Sequence, residues 1–197
     1  MSNAATYDSD GTVQNIQSIH DNQAHDGDTI TLPSGTVSWN AALNITKGIT
    51  LKGQTTVTGN AMDPTGFTVT DNTVVLDDTP RTSPYGLKVT ITPSQKFECL
   101  GITFRGSTTT PTNGSANNMF IVLETATTAT NALTRIHHCH FDTLYRRCIG
   151  PNGANYGVAD HNQVSIRGAR LYLHRPGWFE WRSAGLRCLE RLRLVWN

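Results

Sequence analysis

The stretch Asp26–Gly53, DGDTITLPSGTVSWNAALNITKGITLKG, constrains the fold of this chain more than any other. Two short alternating runs, Thr29-Ile30-Thr31-Leu32 and Ile49-Thr50-Leu51-Lys52, each end at a turn-forming residue. A period of two with β-branched residues, and without helical spacing, predicts strands that bury one face. Two such strands only about twenty residues apart predict one coil of a repeat, with the next coil stacked on it. Only 16% of the 197 residues are charged, while Thr, Asn and Gly are abundant. That balance suits a turn-rich β protein with polar ladders over a helical one.

Further strand-like runs follow at Thr73–Leu76, Leu87–Ile91, Ile102–Phe104, Met119–Leu123, Leu133–His137 and Tyr156–Ala159, separated by Gly, Asn, Pro, Asp or Thr clusters. Ile49-Thr50-Leu51-Lys52-Gly53 and Ile102-Thr103-Phe104-Arg105-Gly106 are near copies. Two later segments, Ile136–Phe141 and Val158–Val164, share an aliphatic residue, a polar run containing His and a second apolar residue. Advances of roughly 20 to 28 residues per coil predict about six coils before residue 163. Ahead of them, Asp10 as N-cap and the spacing of Val13, Ile16, Ile19, His20 and Ala24 predict a short amphipathic helix within residues 8–24. It would cover the exposed apolar end and open backbone edges of the first coil. Residues 1–7 read as a disordered start or a tag remnant, because Ser2-Asn3-Ala4 resembles what tag cleavage leaves behind.

The Asp26–Thr36 opening, followed by Leu43–Gly53, resembles the first coil of right-handed parallel β-helix proteins of the pectin-lyase-like superfamily. The Ile136–Phe141 and Val158–Val164 segments are similar to the recurring hydrophobic-x-Asp/His-His-Asn/Cys-x-Phe coil of that superfamily. The resemblance covers residues 8–163 and implies an all-β, right-handed parallel β-helix with an N-terminal capping helix. It specifies function poorly, since the fold hosts lyases, hydrolases, phage tailspikes and adhesins.

The last stretch breaks the pattern. Residues 1–163 carry four Lys and five Arg against thirteen Asp and Glu, a net −4, whereas residues 164–197 carry seven Arg against Glu180 and Glu190, a net +5. Three of the four Trp lie in residues 164–197, which contain no Thr. A basic, aromatic arm for nucleic acid or acidic polysaccharide is one reading; a C-terminal cap is another. A frameshifted or mis-spliced tail is the expectation adopted, and with it no nucleic-acid partner. With permissible codons for Val164–Gly177, the next reading frame gives SAFAVRVYIYTDPG, which contains an alternating strand. Within the tail, Leu186, Leu189, Leu192 and Val195 recur at near-helical spacing. The four cysteines, Cys99, Cys139, Cys148 and Cys188, lack metal-type spacing and read as small buried residues. No apolar run reaches the roughly 18 residues of a membrane span.

Strands of neighbouring coils lie about 4.8 Å apart, so residues distant in sequence can share an outer face. One candidate set is His137, His138, His140, Asp142, Asp160 and His161, in which a carboxylate beside an imidazole serves as an acid–base pair or an Asp–His cluster holds a metal. The competing reading is an inward or ladder role for alternate members. Asp160-His161 also resembles the Ile-Asp-His segment of some pectate lyases. A second set is Asp77, Asp78 and Arg81, with Arg105 on a later coil. Paired carboxylates suit Ca²⁺, which several polysaccharide lyases use to bind and acidify a uronate, and an Arg suits charge neutralisation or, with its high pKa offset, proton abstraction. The competing reading is a solvated turn. Tyr145, Arg146 and Arg147 suit contacts to an anionic sugar, or a solvated loop. No Gly-rich phosphate loop, zinc spacing or serine elbow is present, nor are the Asn-Thr-Asp and Gly-His-Gly segments of polygalacturonase-like hydrolases. These features predict a secreted or cell-surface protein that binds or acts on polysaccharide, with β-elimination on a uronate chain ahead of hydrolysis. The alternative is a non-enzymatic adhesin or structural module.

Overall fold

The computed structural model describes residues 4–58, 68–80, 83, 85–92, 94–107, 119–125, 133–142, 144, 147–151 and 163–165. The chain is all-β with one short helix. A first strand, β1 (Thr6–Asp8), precedes helix α1 (Val13–Asn22). Then follow β2 (Thr29–Thr31), β3 (Gly35–Trp39), β4 (Leu43–Ile45), β5 (Thr50–Lys52), β6 (Thr56–Thr58), β7 (Thr68–Thr70), β8 (Thr73–Asp77) and β9 (Leu87–Ile91). The remainder are β10 (Lys96–Leu100), β11 (Thr103–Gly106), β12 (Met119–Thr125), β13 (Leu133–His137), β14 (His140–Asp142), β15 (Arg147–Pro151) and β16 (Gln163–Ser165).

The strands sort into three sheets. Sheet A has the order β1-β2-β5-β10-β13-β16, sheet B β14-β11-β8-β3 and sheet C β15-β12-β9-β4. Every pairing within them is parallel. From β2 onward the chain visits A, B and C in rotation. The one interruption is an antiparallel hairpin, β6–β7, inserted between β5 and β8.

Registers show why the alternation matters. Ile30, Leu51, Cys99 and Ile136 align across sheet A. Val37, Val75, Phe104 and Phe141 align across sheet B, and Leu43, Leu87, Ile121 and Ile149 across sheet C. Each column takes alternate residues of its strands, and all three pack into one core. Inside it Phe104 stacks on Phe141, with ring centroids 5.4 Å apart, and tilts against Phe120 at 5.1 Å.

The circuits through the three sheets are fewer and longer than the sequence suggests. The chain advances 21 residues from Thr29 to Thr50, 48 from Thr50 to Glu98, 37 from Glu98 to Arg135 and 30 from Arg135 to Ser165. The described residues therefore hold four A-B-C circuits, where even spacing predicts about six. The near copies Ile49–Gly53 and Ile102–Gly106 are not equivalent. The first is in sheet A and the second in sheet B, and the true counterpart of Thr50-Leu51-Lys52 is Glu98-Cys99-Leu100. Ile136–Phe141 likewise divides at a corner into β13 and β14.

A short helix forms where the sequence places one, with one correction to its cap. Strand β1 extends sheet A by pairing with β2. The helix N-cap is Thr12, whose side chain accepts from the Asn15 amide at 3.2 Å, while Asp10 braces Thr12 from outside. Val13, Ile16 and Ile19 enter the core. Gln17 imitates a further strand by bonding both the amide and the carbonyl of Asn44 on β4, and His20 accepts from the Thr46 amide at 3.1 Å. Trp39, fully buried, donates from Nε1 to the Gly11 carbonyl at 3.0 Å. Cys99 and Cys139 are buried free thiols, in agreement with their expected packing role. Among the described residues no helix is long and apolar enough to cross a membrane. At the other end, β16 carries the strand pattern to Ser165. Leu186–Val195 lies outside the described residues.

Candidate functional site

The outward positions of β11 and β14 face the same way as a consequence of register: Thr103 pairs with His140 and Arg105 with Asp142, while Phe104 and Phe141 point inward. A fifth residue, Asp71, arrives from the connection between β7 and β8. Arg105 donates from Nε to Asp142 at 2.6 Å and from Nη2 to Asp71 at 2.7 Å. Nδ1 of His140 lies 2.8 Å from Oδ1 of Asp71, and the Thr103 hydroxyl donates to the same oxygen at 2.6 Å. Thr55 lies behind Thr103, with the hydroxyls 3.1 Å apart. The cluster thus draws on two paired strands of sheet B and the ends of the inserted hairpin.

Its electrostatics are set by Asp71. Partial burial acts to raise the Asp71 pKa, but hydrogen bonds from Thr103 and His140 and the charge of Arg105 outweigh it and hold the carboxyl below its ordinary 3.8. An ionised Asp71 fixes the proton of a neutral His140 on Nδ1, which leaves Nε2 as a lone-pair base. The His140 side chain is 20% exposed.

A second cluster lies on the outer face of sheet A. Glu98 on β10 meets Arg135 Nη1 at 3.2 Å and His137 Nε2 at 2.8 Å through one oxygen. Nδ1 of His137 faces Nδ1 of His138 at 2.7 Å. The expected His set is therefore divided between two sheets, with His137 and His138 on one side of the A-to-B corner and His140 and Asp142 on the other. The Arg105 carboxylate partners are Asp71 and Asp142, in place of the expected Asp77 and Asp78.

Asp77 and Asp78 are adjacent, and their side chains serve different neighbours. Asp77 is buried and accepts from the Thr79 hydroxyl at 2.6 Å, whereas Asp78 accepts from Ser38. Among the described residues there is no group of three or more His, Cys, Asp or Glu side chains suited to a metal. Tyr145, Arg146, Asp160, His161 and Arg81 lie outside the described residues. Arg147 is the first residue of β15, opposite Met119, and its side chain lies outside them too.

No family model, curated protein or solved structure matches the chain. The site must be read from its own chemistry.

Sequence reasoning missed Asp71 and Glu98. Asp71 stands in Thr70-Asp71-Asn72, which reads as a turn, and its partners come from strands more than thirty residues away. Glu98 had a local signal, as the lone acid at an outward position of an alternating strand, Lys96-Phe97-Glu98-Cys99-Leu100.

Proposed function

We propose that the chain is a right-handed parallel β-helix, secreted or carried on a cell surface, that engages polysaccharide along the outer face of sheet B, with His140 as its acid–base group. The rotation of the chain through A, B and C supports the helical winding, and parallel crossovers are right-handed in about 98% of cases. The likeness of Asp26–Gly53 and Ile136–Phe141 to pectin-lyase-like coils supports it independently. The observation that carries the activity is the Asp71–His140 pair, 2.8 Å apart on a partly exposed face. In β-elimination, Nε2 of His140 takes the C5 proton of a uronate as the C4–O bond breaks and the C4=C5 double bond forms; the electron pair leaves on the C4 oxygen. Arg105 is not the base, because two of its nitrogens are already bonded to carboxylates. In hydrolysis, the same nitrogen activates water.

The test is incubation of the protein with pectate, alginate and neutral glycans, with and without added Ca²⁺. Unsaturated products are read by ultraviolet absorbance and new ends by a reducing-sugar assay. Loss of product in His140→Gln with the fold intact is the expected result. Absence of both products from every chain refutes the enzymatic reading. One observation favours a non-enzymatic surface module as the second reading: Arg105 bridges Asp71 and Asp142, which is also how a polar ladder ties coils together.

A further inference from the structure

We propose that Glu98, His137 and His138 form an oriented proton relay on the outer face of sheet A, which makes Nε2 of His138 a proton acceptor for a hydroxyl group of water or of a sugar. This site is separate from Asp71–His140 and does not depend on the reading of sheet B.

The direction of the relay follows from the valence of the ring nitrogens. A carboxylate oxygen of Glu98 only accepts, so Nε2 of His137, 2.8 Å away, carries a hydrogen. In a neutral His137 its Nδ1 is then a lone pair. Nδ1 of His138, 2.7 Å from it, must supply the hydrogen between the two rings. What remains on His138 is Nε2, unprotonated, on a side chain that is exposed while His137 is buried. When a hydroxyl group gives its proton to this Nε2, the Nδ1 proton of His138 can pass to Nδ1 of His137. The oxygen keeps its electron pair, and the positive charge comes to rest beside Glu98, where it is best stabilised. The other charged groups on this face are Arg135, which shares the Glu98 oxygen at 3.2 Å, Lys52, in register with Leu100 and through it with His137, Lys96, two residues before Glu98 on β10, and Asp8, at the far edge on β1. Partial burial of the ring is the first cause that holds the His138 pKa below its ordinary 6.5, and the Arg135 charge acts in the same direction.

Backbone strain marks the same residue. His138 has φ +51°, at the corner position that Gly101, φ +69°, occupies one coil earlier. Glycine accepts that conformation freely, and a histidine held there at a cost is a sign of use.

Nitrogen-15 NMR of the imidazoles in the whole chain at neutral pH tests the relay. The expected result is His138 as the Nδ1–H tautomer and His137 as the Nε2–H tautomer. In His137→Phe, which keeps a flat ring without the acceptor, His138 should revert to Nε2–H. Diethyl pyrocarbonate, which acylates an unprotonated ring nitrogen, should then modify Nε2 of His138 more slowly than in the wild type. His138 found as Nε2–H in the wild-type protein overturns the proposal without any variant, and equal acylation rates in the two proteins overturn it as well.

Discussion

Replacing Gly53 by Ala tests the close approach of Gly53 to Gly101 and Ile102 at the corner between sheets A and B. A Cβ on Gly53 would lie 2.8 Å from Cγ1 of Ile102 and 3.0 Å from the carbonyl carbon of Gly101, with the Gly101 oxygen nearer still. Comfortable carbon contacts are about 3.5–4.0 Å, so the next coil must move by roughly half an ångström or more. That movement strains two hydrogen bonds, from the Gly53 amide to Leu100 at 2.9 Å and from the Thr55 amide to Gly101 at 2.7 Å. Two backbone bonds at about 1 kcal/mol each, with about 1–3 kcal/mol of overpacking, exceed the roughly 0.4–1 kcal/mol that Ala recovers by restricting the unfolded chain. The net loss is about 2–5 kcal/mol. Gly27 supplies the control: it has φ +94° and nothing within 4 Å of its Cβ position, so Gly27→Ala loses only the left-handed preference. That costs about 1–2 kcal/mol before the same unfolded-state gain. Urea unfolding followed by circular dichroism compares the two. If Gly53→Ala is no more destabilising than Gly27→Ala, the coils do not meet at Gly53 and Gly101 as described.

Three other outcomes are expected. Asp71→Asn should lower stability by about 1–2 kcal/mol near neutral pH; because the folded pKa of Asp71 lies below 3.8, the deficit is full above that value and shrinks as pH falls through the folded pKa, which urea titrations along a descending pH series will show. Gln17→Ala removes the side chain that occupies the amide and carbonyl of Asn44, so concentration-dependent self-association through the β4 edge should appear in sedimentation velocity, where a monodisperse profile unchanged from wild type would count against edge protection by α1. Cys99, whose thiol pKa is raised well above 9.0 by its contact with Cys139 and by burial, should react with a disulfide reagent only after unfolding, and prompt labelling of the native protein at Cys99 would contradict its burial.

The all-β class, the short helix and seven of the strands were legible because each leaves a local signal: alternating or continuous apolar runs of three or more residues for the strands, and apolar residues three apart for the helix. Strand β3 was less visible: Gly35-Thr36-Val37-Ser38-Trp39 has few apolar residues, and its partner β8 lies beyond the inserted hairpin. Coil number failed for a related reason. Even spacing was inferred from Thr29 and Thr50, yet a hairpin enters the next circuit after Gly53, and β11 and β12 are separated by residues 107–118. His140 and Asp142 could be named from the sequence because they alternate with Phe141 on one strand. Their partner Asp71 could not, because nothing near it in sequence reports a neighbour at position 140.

The two polar clusters show how a regular scaffold acquires chemistry. Sheet register alone assembles Glu98, Arg135 and His137, since all three occupy outward positions of paired strands. The sheet B cluster needs more: register brings Arg105 to Asp142 and Thr103 to His140, but the carboxylate that orients His140 comes from the insertion. Deleting Thr56–Thr70 while rejoining the chain would displace Asp71 and release His140 and one arm of Arg105, yet leave the inward columns intact. It follows that the sheet A relay should survive that deletion with its His137 and His138 tautomers unchanged, while acid–base chemistry at His140 is lost. NMR of the imidazoles in the deleted protein separates the two, and loss of both clusters together would mean that the insertion supports the core and not only the site.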